Sequence, residues 1–279
     1  MSRVFLPSDL ETLWDILAEK PAALVYAGGT DLLVRLRQNR IDPPFLVCLE
    51  RIEELQGVRK RGDKVFIGAC STHTSLLANP IICKNFQVLT KALACLGSPP
   101  IRNAGTIGGN ICTASPAGDT LPPLYTLDAE LEIRNPHSSR RMALKDFILG
   151  PGKTRLQQGE ILAGVWLSDN SSFTIHHFEK AGQRNALAIS LVSLAALLQM
   201  SVSGIIERVR LAWGSVAPTI ATSAAVEAML TGRPLSRETL ENAIPLVREA
   251  ISPLDDLRAG AAYRRTVAGN LLLRLIDGK

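Results

Sequence analysis

The sequence predicts an α+β protein in two regions: an α/β region over roughly the first 170 residues, then a smaller one of antiparallel strands and helices. Three observations carry this. Short apolar runs alternate with helical patterns in the first region. From about residue 171 three strand-like runs come in succession, and three helical segments follow them. Between the two lies WLSDNSSF (166–173), a polar stretch that puts the boundary near residues 168–172.

The first helix is SDLETLWDIL (8–17), with Ser8 as the expected N-cap, Glu11 at capping-box spacing and apolar positions at helical intervals. After Lys20-Pro21, AALVYA (22–27) reads as a strand, GGTD (28–31) as a tight turn and LLVRLRQ (32–38) as a helix. LVCLERI (46–52) and KVFIGAC (64–70) are further strands, and residues 75–97 are helical pieces broken at Pro80. ELEIR (130–134) and ILAGVWL (161–167) close the first region as strands. FTIHHFEK (173–180), LAISLVSLAALL (187–198) and IIERVRLAWGSV (205–216) form the antiparallel sheet of the second. Helices follow over 220–232, 236–251 and 261–276, the last with Tyr263, Val267, Leu271 and Leu275 on one stripe.

Composition narrows the function. A chain of 279 residues with 46% hydrophobic and 20% charged residues can bury two cores. The net charge of +5 is spread over pairs and one triplet, Arg59-Lys60-Arg61, with no basic run interleaved with aromatics. That argues against a nucleic-acid groove. Residues 185–206 are uncharged but hold four Ser, a Gln, an Asn and a Gly, so strands around a turn at Val202-Ser203-Gly204 are expected instead of a membrane span. Cys48, Cys70, Cys83, Cys95 and Cys112 have no short metal-ligand spacing. Their odd number, without a signal peptide, fits reduced thiols in the cytoplasm.

Two glycine-rich segments stand out. In AGGTDLL (27–33) the glycines between strand and helix permit a sharp turn and leave backbone N–H groups uncovered for phosphate oxygens. The G-x-G-x-x-G and Walker patterns are both absent. Asp31 sets a carboxylate where an anion would approach, which suits a helix cap or a hydroxyl ligand better than a phosphate. TIGGN (106–110) is a second bare loop, and Asn110, Thr113, Ser115 and Asp119 follow it with polar groups suited to a ribityl chain or a flavin edge. Two such loops suit the two ends of an adenine dinucleotide; two ordinary turns fit the spacing equally.

Other chemistry is missing. His176 and His177 are adjacent, so on a strand they point to opposite faces and cannot share a metal. His73 and His137 have no histidine at helical spacing and no nucleophile elbow to join, and read as surface or packing residues. No catalytic side chain and no metal site emerge, which leaves the reactivity to a cofactor.

AGGTDLL, IRNAGTIGGNICTASPAGDTLP (101–122) and LDAELEIR (127–134) resemble the FAD-binding subunit of the molybdenum hydroxylases, the xanthine dehydrogenase and carbon monoxide dehydrogenase flavoprotein group. The resemblance continues through GEIL (159–162), FEK (178–180), VRLAWGSVAPT (209–219) and LRAGAAYRRTVAGNLL (257–272), nearly the whole chain. It implies a two-part α/β FAD-binding domain of vanillyl-alcohol-oxidase-like architecture over 1–170, split near 55–60, and a C-terminal flavoprotein domain over 171–279.

By position, the resemblance puts Val25, Tyr26, Ala27, Gly28, Gly29, Thr30, Asp31 and Leu32 in the first FAD loop. It puts Thr106, Ile107, Gly108, Gly109 and Asn110 in the second. Asp119, Leu162 and Lys180 match further contact positions, and Thr113 falls near the flavin's reactive edge. Non-covalent FAD is implied here, with molybdopterin and two-iron two-sulfur clusters confined to a large and a small partner subunit. Electrons would pass from the clusters through FAD to NAD or another acceptor. The relatives' four-iron insertion has no counterpart, and Cys112 reads as a small packing residue. The rival readings are a self-contained FAD oxidase, for which about 110 residues after position 170 are too few, and a cofactor-free assembly subunit.

Overall fold

A computed structural model describes residues 2–168 and 170–276; Asp169, inside the expected boundary, lies outside the described residues. In chain order come β1 (Arg3–Phe5), α1 (Leu10–Glu19), β2 (Leu24–Tyr26), α2 (Leu32–Arg37), β3 (Phe45–Cys48), β4 (Val58–Arg61) and β5 (Lys64–Gly68). Then follow α3 (His73–Leu77), α4 (Pro80–Asn85), α5 (Gln87–Cys95), α6 (Pro99–Ala104), α7 (Ile107–Thr113) and α8 (Leu121–Thr126). Next are β6 (Glu130–Arg134), β7 (Ser139–Ala143), α9 (Leu144–Phe147), β8 (Ile148–Gly150), β9 (Lys153–Thr154) and β10 (Ile161–Ser168). The chain continues as β11 (Ile175–Ala181), β12 (Val192–Met200), β13 (Ile206–Gly214), α10 (Ala224–Leu230), α11 (Arg237–Ala250) and α12 (Ala261–Leu273).

These elements gather into two compact units, each assembled from separate stretches. One comprises Met1–Asn79, Ser98–Thr113 and Asp128–Asp169, the other Pro80–Gly97, Ala114–Leu127 and Asn170–Lys279.

The first unit holds a parallel sheet in the order β1-β3-β2 and a five-stranded antiparallel sheet in the order β4-β5-β10-β6-β7. Parallel pairing of β2 with β3 requires a crossover, which α2 supplies. The fully buried Leu13, Val47, Ile52, Leu55 and Ala163 knit α1, β3 and β10 into one core. The α1 cap differs from expectation by one residue. Asp9 accepts the Thr12 N–H at 2.8 Å, while the Ser8 hydroxyl only donates to Asp9 at 3.1 Å. A charged acceptor in extended backbone outcompetes the hydroxyl beside it.

In the second unit β11, β12 and β13 form an antiparallel meander, turning at Val202–Gly204 with Gly204 at φ +80°. The helices pack on it around the fully buried Trp213, with Leu194, Leu198, Val226, Leu240 and Leu272. The stripe on α12 and the residues just after it holds at Val267, Leu271 and Leu275 and departs from expectation at its first position. Tyr263 is 50% exposed, and Arg264 takes the inward position with Ala268, Leu271 and Leu272. Arg264 can lie inside because carbonyls and a carboxylate take up its donors.

Candidate functional site

The first glycine segment runs from the end of β2 to the start of α2. Gly29 sits at φ +68°, a left-handed turn that favours glycine. At Gly28 the backbone passes so close to the end of α6 that a Cβ would overlap the Ala104 carbonyl. This contact brings the first segment against the entrance to the second. Among the described residues, no hydrogen bond uses the amides of Gly28, Gly29, Thr30 or Asp31. Asp31, expected to cap α2 or bind a hydroxyl, does not cap it with its side chain; its carboxylate approaches Arg35 at 3.9 Å, one helical turn on. Burial, with the neighbouring Cys48 second, pushes the Tyr26 hydroxyl up to about 12. Val25, Ala27, Thr30 and Leu32 are half-buried.

The second segment is helical, not a bare loop. The Thr106 hydroxyl accepts the Gly109 N–H at 3.1 Å, and its carbonyl accepts the Asn110 N–H at 3.0 Å. Ile107 and Gly108 donate to the Ser71 and Ala69 carbonyls at 3.0 and 2.9 Å. Thus the amides expected to face a ligand are already used, and α7 starts there because each initial N–H finds an acceptor. A Cβ on Gly108 would lie 2.5 Å from that of Ala69, so this glycine serves close packing. Gly109 is the bare one: it is exposed, and a Cβ there would meet only the Thr106 hydroxyl at 2.9 Å.

His73 lies beneath this segment, 2% exposed, and its N–H donates to the Gly105 carbonyl at 2.9 Å. Thr113 ends α7 half-buried. Beside it, burial pushes the Cys112 thiol up to about 12 although the residue as a whole is only half-buried. Leu162 is 4% exposed and sits where β10 slips register against β6, so its side chain is core packing.

Asp119 and Lys180 belong to the second unit and are paired. Lys180 Nζ donates to Asp119 Oδ2 at 2.6 Å and to the Ala188 carbonyl at 3.2 Å. Asp119 is 7% exposed, and its Oδ1 has no hydrogen-bond partner among the described residues. Burial pushes its carboxyl above the usual range, against the opposing pull of Lys180. A buried carboxylate oxygen without a donor is uncommon, and it suits a hydroxyl or amide from a ligand.

The structure therefore brings Val25–Leu32 and Thr106–Asn110 together in one unit, and Asp119 and Lys180 in the other. Sequence reasoning missed Ala69 and Ala104, and left His73 open between surface and packing; the glycines opposite them at 108, 28 and 105 were the available signal. A cavity of about 380 Å³ over the antiparallel sheet, lined by Arg59, Arg61, Phe66, Arg134 and Trp166 among others, shares no residue with these segments. Glu132, also in its lining, accepts bonds there from Trp166 and Arg134 at 2.7 and 2.6 Å.

Residues 1–167 match the family described as the FAD binding domain in molybdopterin dehydrogenase, and residues 176–278 match the CO dehydrogenase flavoprotein C-terminal domain. These matches define an FAD-binding flavoprotein of the oxidoreductases. The chain belongs to the FAD-binding subunits of the molybdopterin dehydrogenase family. It is 31% identical over 267 residues to the nicotinate dehydrogenase FAD-subunit of Eubacterium barkeri, covering 94% of this chain and 90% of that one. It is 32% identical over 266 residues to the xanthine dehydrogenase FAD-binding subunit of Escherichia coli O157:H7, with the same coverage. Among solved structures, it is similar to carbon monoxide dehydrogenase of Hydrogenophaga pseudoflava, with TM-score 0.93, 26% identity, and 99% and 96% of the two chains covered. Quinoline 2-oxidoreductase of Pseudomonas putida 86 gives TM-score 0.94 at 26% identity, covering 100% and 96%.

Proposed function

We propose that this chain carries FAD between the iron–sulfur clusters of a small partner and a terminal acceptor, within a complex whose large partner oxidises substrate at molybdopterin. The observation that carries the reading is the run of unused amides at Gly28–Asp31, which offers donors to the phosphate oxygens of a dinucleotide. When bound, FAD supplies one- and two-electron redox chemistry, and the chain holds and tunes it. Val25–Leu32 form one cradle. In Thr106–Asn110 the part of Gly109 is to keep an exposed stretch of backbone free of a side chain. Asp119 Oδ1 accepts a hydrogen bond from the ligand, and Lys180 holds that carboxylate in place and balances its charge. Thr113 and Leu162 complete the contact set by resemblance. Binding is non-covalent, since by resemblance no histidine or cysteine sits at a matched attachment position, and burial pushes the nearby Cys112 thiol up to about 12.

NAD is one acceptor that fits the relatives' type, and the cytoplasm is the compartment consistent with five free thiols. No helix among the described residues is long and apolar enough to cross a membrane. Affinity purification of the native complex with metal analysis tests the reading. Molybdenum and iron should co-purify with the chain and its flavin. Hydroxylase turnover by the isolated, flavin-loaded chain would instead favour a self-contained oxidase.

A further inference from the structure

We propose that Arg264 is a positioning residue that fixes Asp119 and Lys180 for FAD through the backbone of Ser215; this rests on reading that pair as flavin contacts. Arg264 is 4% exposed. Its NH1 donates to the Leu191 carbonyl at 2.7 Å and the Ser215 carbonyl at 3.0 Å, and its NH2 to Asp256 Oδ1 at 2.8 Å. A guanidinium that only filled space would be replaced by an apolar side chain of similar volume at little cost. Here it ties down two strand ends, since Leu191 immediately precedes β12 and Ser215 immediately follows β13.

Each end leads to one member of the pair. Ser215 lies at φ +64°, a left-handed conformation uncommon for a residue with a side chain. Three hydrogen bonds hold it there: the Arg264 bond, its N–H to the Pro116 carbonyl at 2.8 Å, and its hydroxyl to the Ser190 carbonyl at 2.9 Å. Backbone strain of this kind persists only where the surroundings over-determine it, and it gathers at ligand sites. Pro116 lies in the turn closed by the Gly118 N–H to the Ser115 carbonyl at 2.9 Å, and Asp119 directly follows that turn. A Cβ on Gly214 would overlap the Ser193 hydroxyl and lie 3.1 Å from Pro122, in α8 just after Asp119. On the other side, Leu191 closes the loop after β11 through its N–H to the Ala181 carbonyl at 2.9 Å, and Ala188 in that loop holds Lys180 Nζ. One buried cation therefore fixes both segments from which the pair projects.

The test is a double-mutant cycle on the full chain, titrating FAD into apoprotein and following flavin fluorescence and the visible absorption band. Arg264→Lys and Asp119→Asn should each raise the FAD Kd by about tenfold, the loss of one charge-assisted hydrogen bond. The double variant should bind about as weakly as Asp119→Asn alone, because Arg264 acts through that carboxylate. The absorption band of flavin bound to Arg264→Lys should also shift toward that of free FAD. Losses that simply multiply, or wild-type affinity in folded Arg264→Lys, would overturn the inference while leaving the flavin reading intact. Wild-type affinity in Asp119→Asn would overturn the reading of the pair, and this inference with it. If Arg264→Lys does not fold, Asp256→Asn carries the same comparison: a loss absent from the Asp119→Asn background supports the inference, and no loss or a multiplied one overturns it.

Discussion

Acidification should loosen the second glycine segment through His73. The ring is 2% exposed, its Nδ1 has no hydrogen-bond partner among the described residues, and a Cβ on Gly105 would lie 3.1 Å from Cδ2. Burial, aided by the positive charge of Arg102, pushes this histidine from 6.5 down to about 4. The unfolded chain therefore takes up a proton near pH 6.5, and the folded chain only near pH 4. The stability tied to the neutral ring is complete above pH 6.5 and lost as pH falls through that window. With 1.36 kcal/mol for each pKa unit, the whole window is worth about 3 kcal/mol, and the step from pH 7 to pH 5 about 2 kcal/mol. Urea unfolding of the apoprotein at the two pH values, compared with His73→Leu, measures it. The variant should lose about 2 kcal/mol less than wild type over that step. Equal losses in the two proteins would refute the assignment to His73.

Gly28→Ala should destabilise the first unit by about 1–3 kcal/mol and remove bound flavin, since the new methyl group meets the Ala104 backbone and not a movable side chain. Thermal melting and flavin content check both halves. Gly109→Val should behave differently: the position is helical and exposed, and the new side chain would press on the Thr106 hydroxyl and not on backbone, so the fold survives while flavin content falls, and a folded variant with normal flavin would count against this segment as a contact. Acid precipitation of the holoprotein should release all of its flavin, and flavin left on the pellet would contradict non-covalent binding.

Much of the architecture was legible because the strands follow apolar runs bounded by glycine, proline and polar residues. The three strands of the meander are the clearest instance. The segment TIGGN was harder. Its glycines argue for a loop on propensity alone, whereas Thr106 as a cap and acceptors from Ala69 and Ser71 make it the start of a helix. Only the contact between distant stretches reveals those acceptors. Arg264 was hidden for the same reason, as a charge beside Tyr263 on an amphipathic helix ordinarily faces solvent. Its carbonyl partners lie 73 and 49 residues away in sequence. The identities of Asp119 and Lys180 as a pair, 61 residues apart, likewise carry no local signal.

The order β4-β5-β10-β6-β7 has a consequence for synthesis on the ribosome. Two hairpins, β4–β5 and β6–β7, emerge first, and each presents an unpaired edge to the other. The strand that joins them, β10, is the last of the five to be made and takes the central place. Until Ile161–Ser168 leave the exit tunnel, the nascent chain exposes two edges able to pair with other chains. Nascent chains stalled before residue 161 should therefore aggregate or recruit chaperones, while those stalled well beyond residue 168 should not. Within this sheet the decisive moment of folding falls late, at the arrival of a single strand.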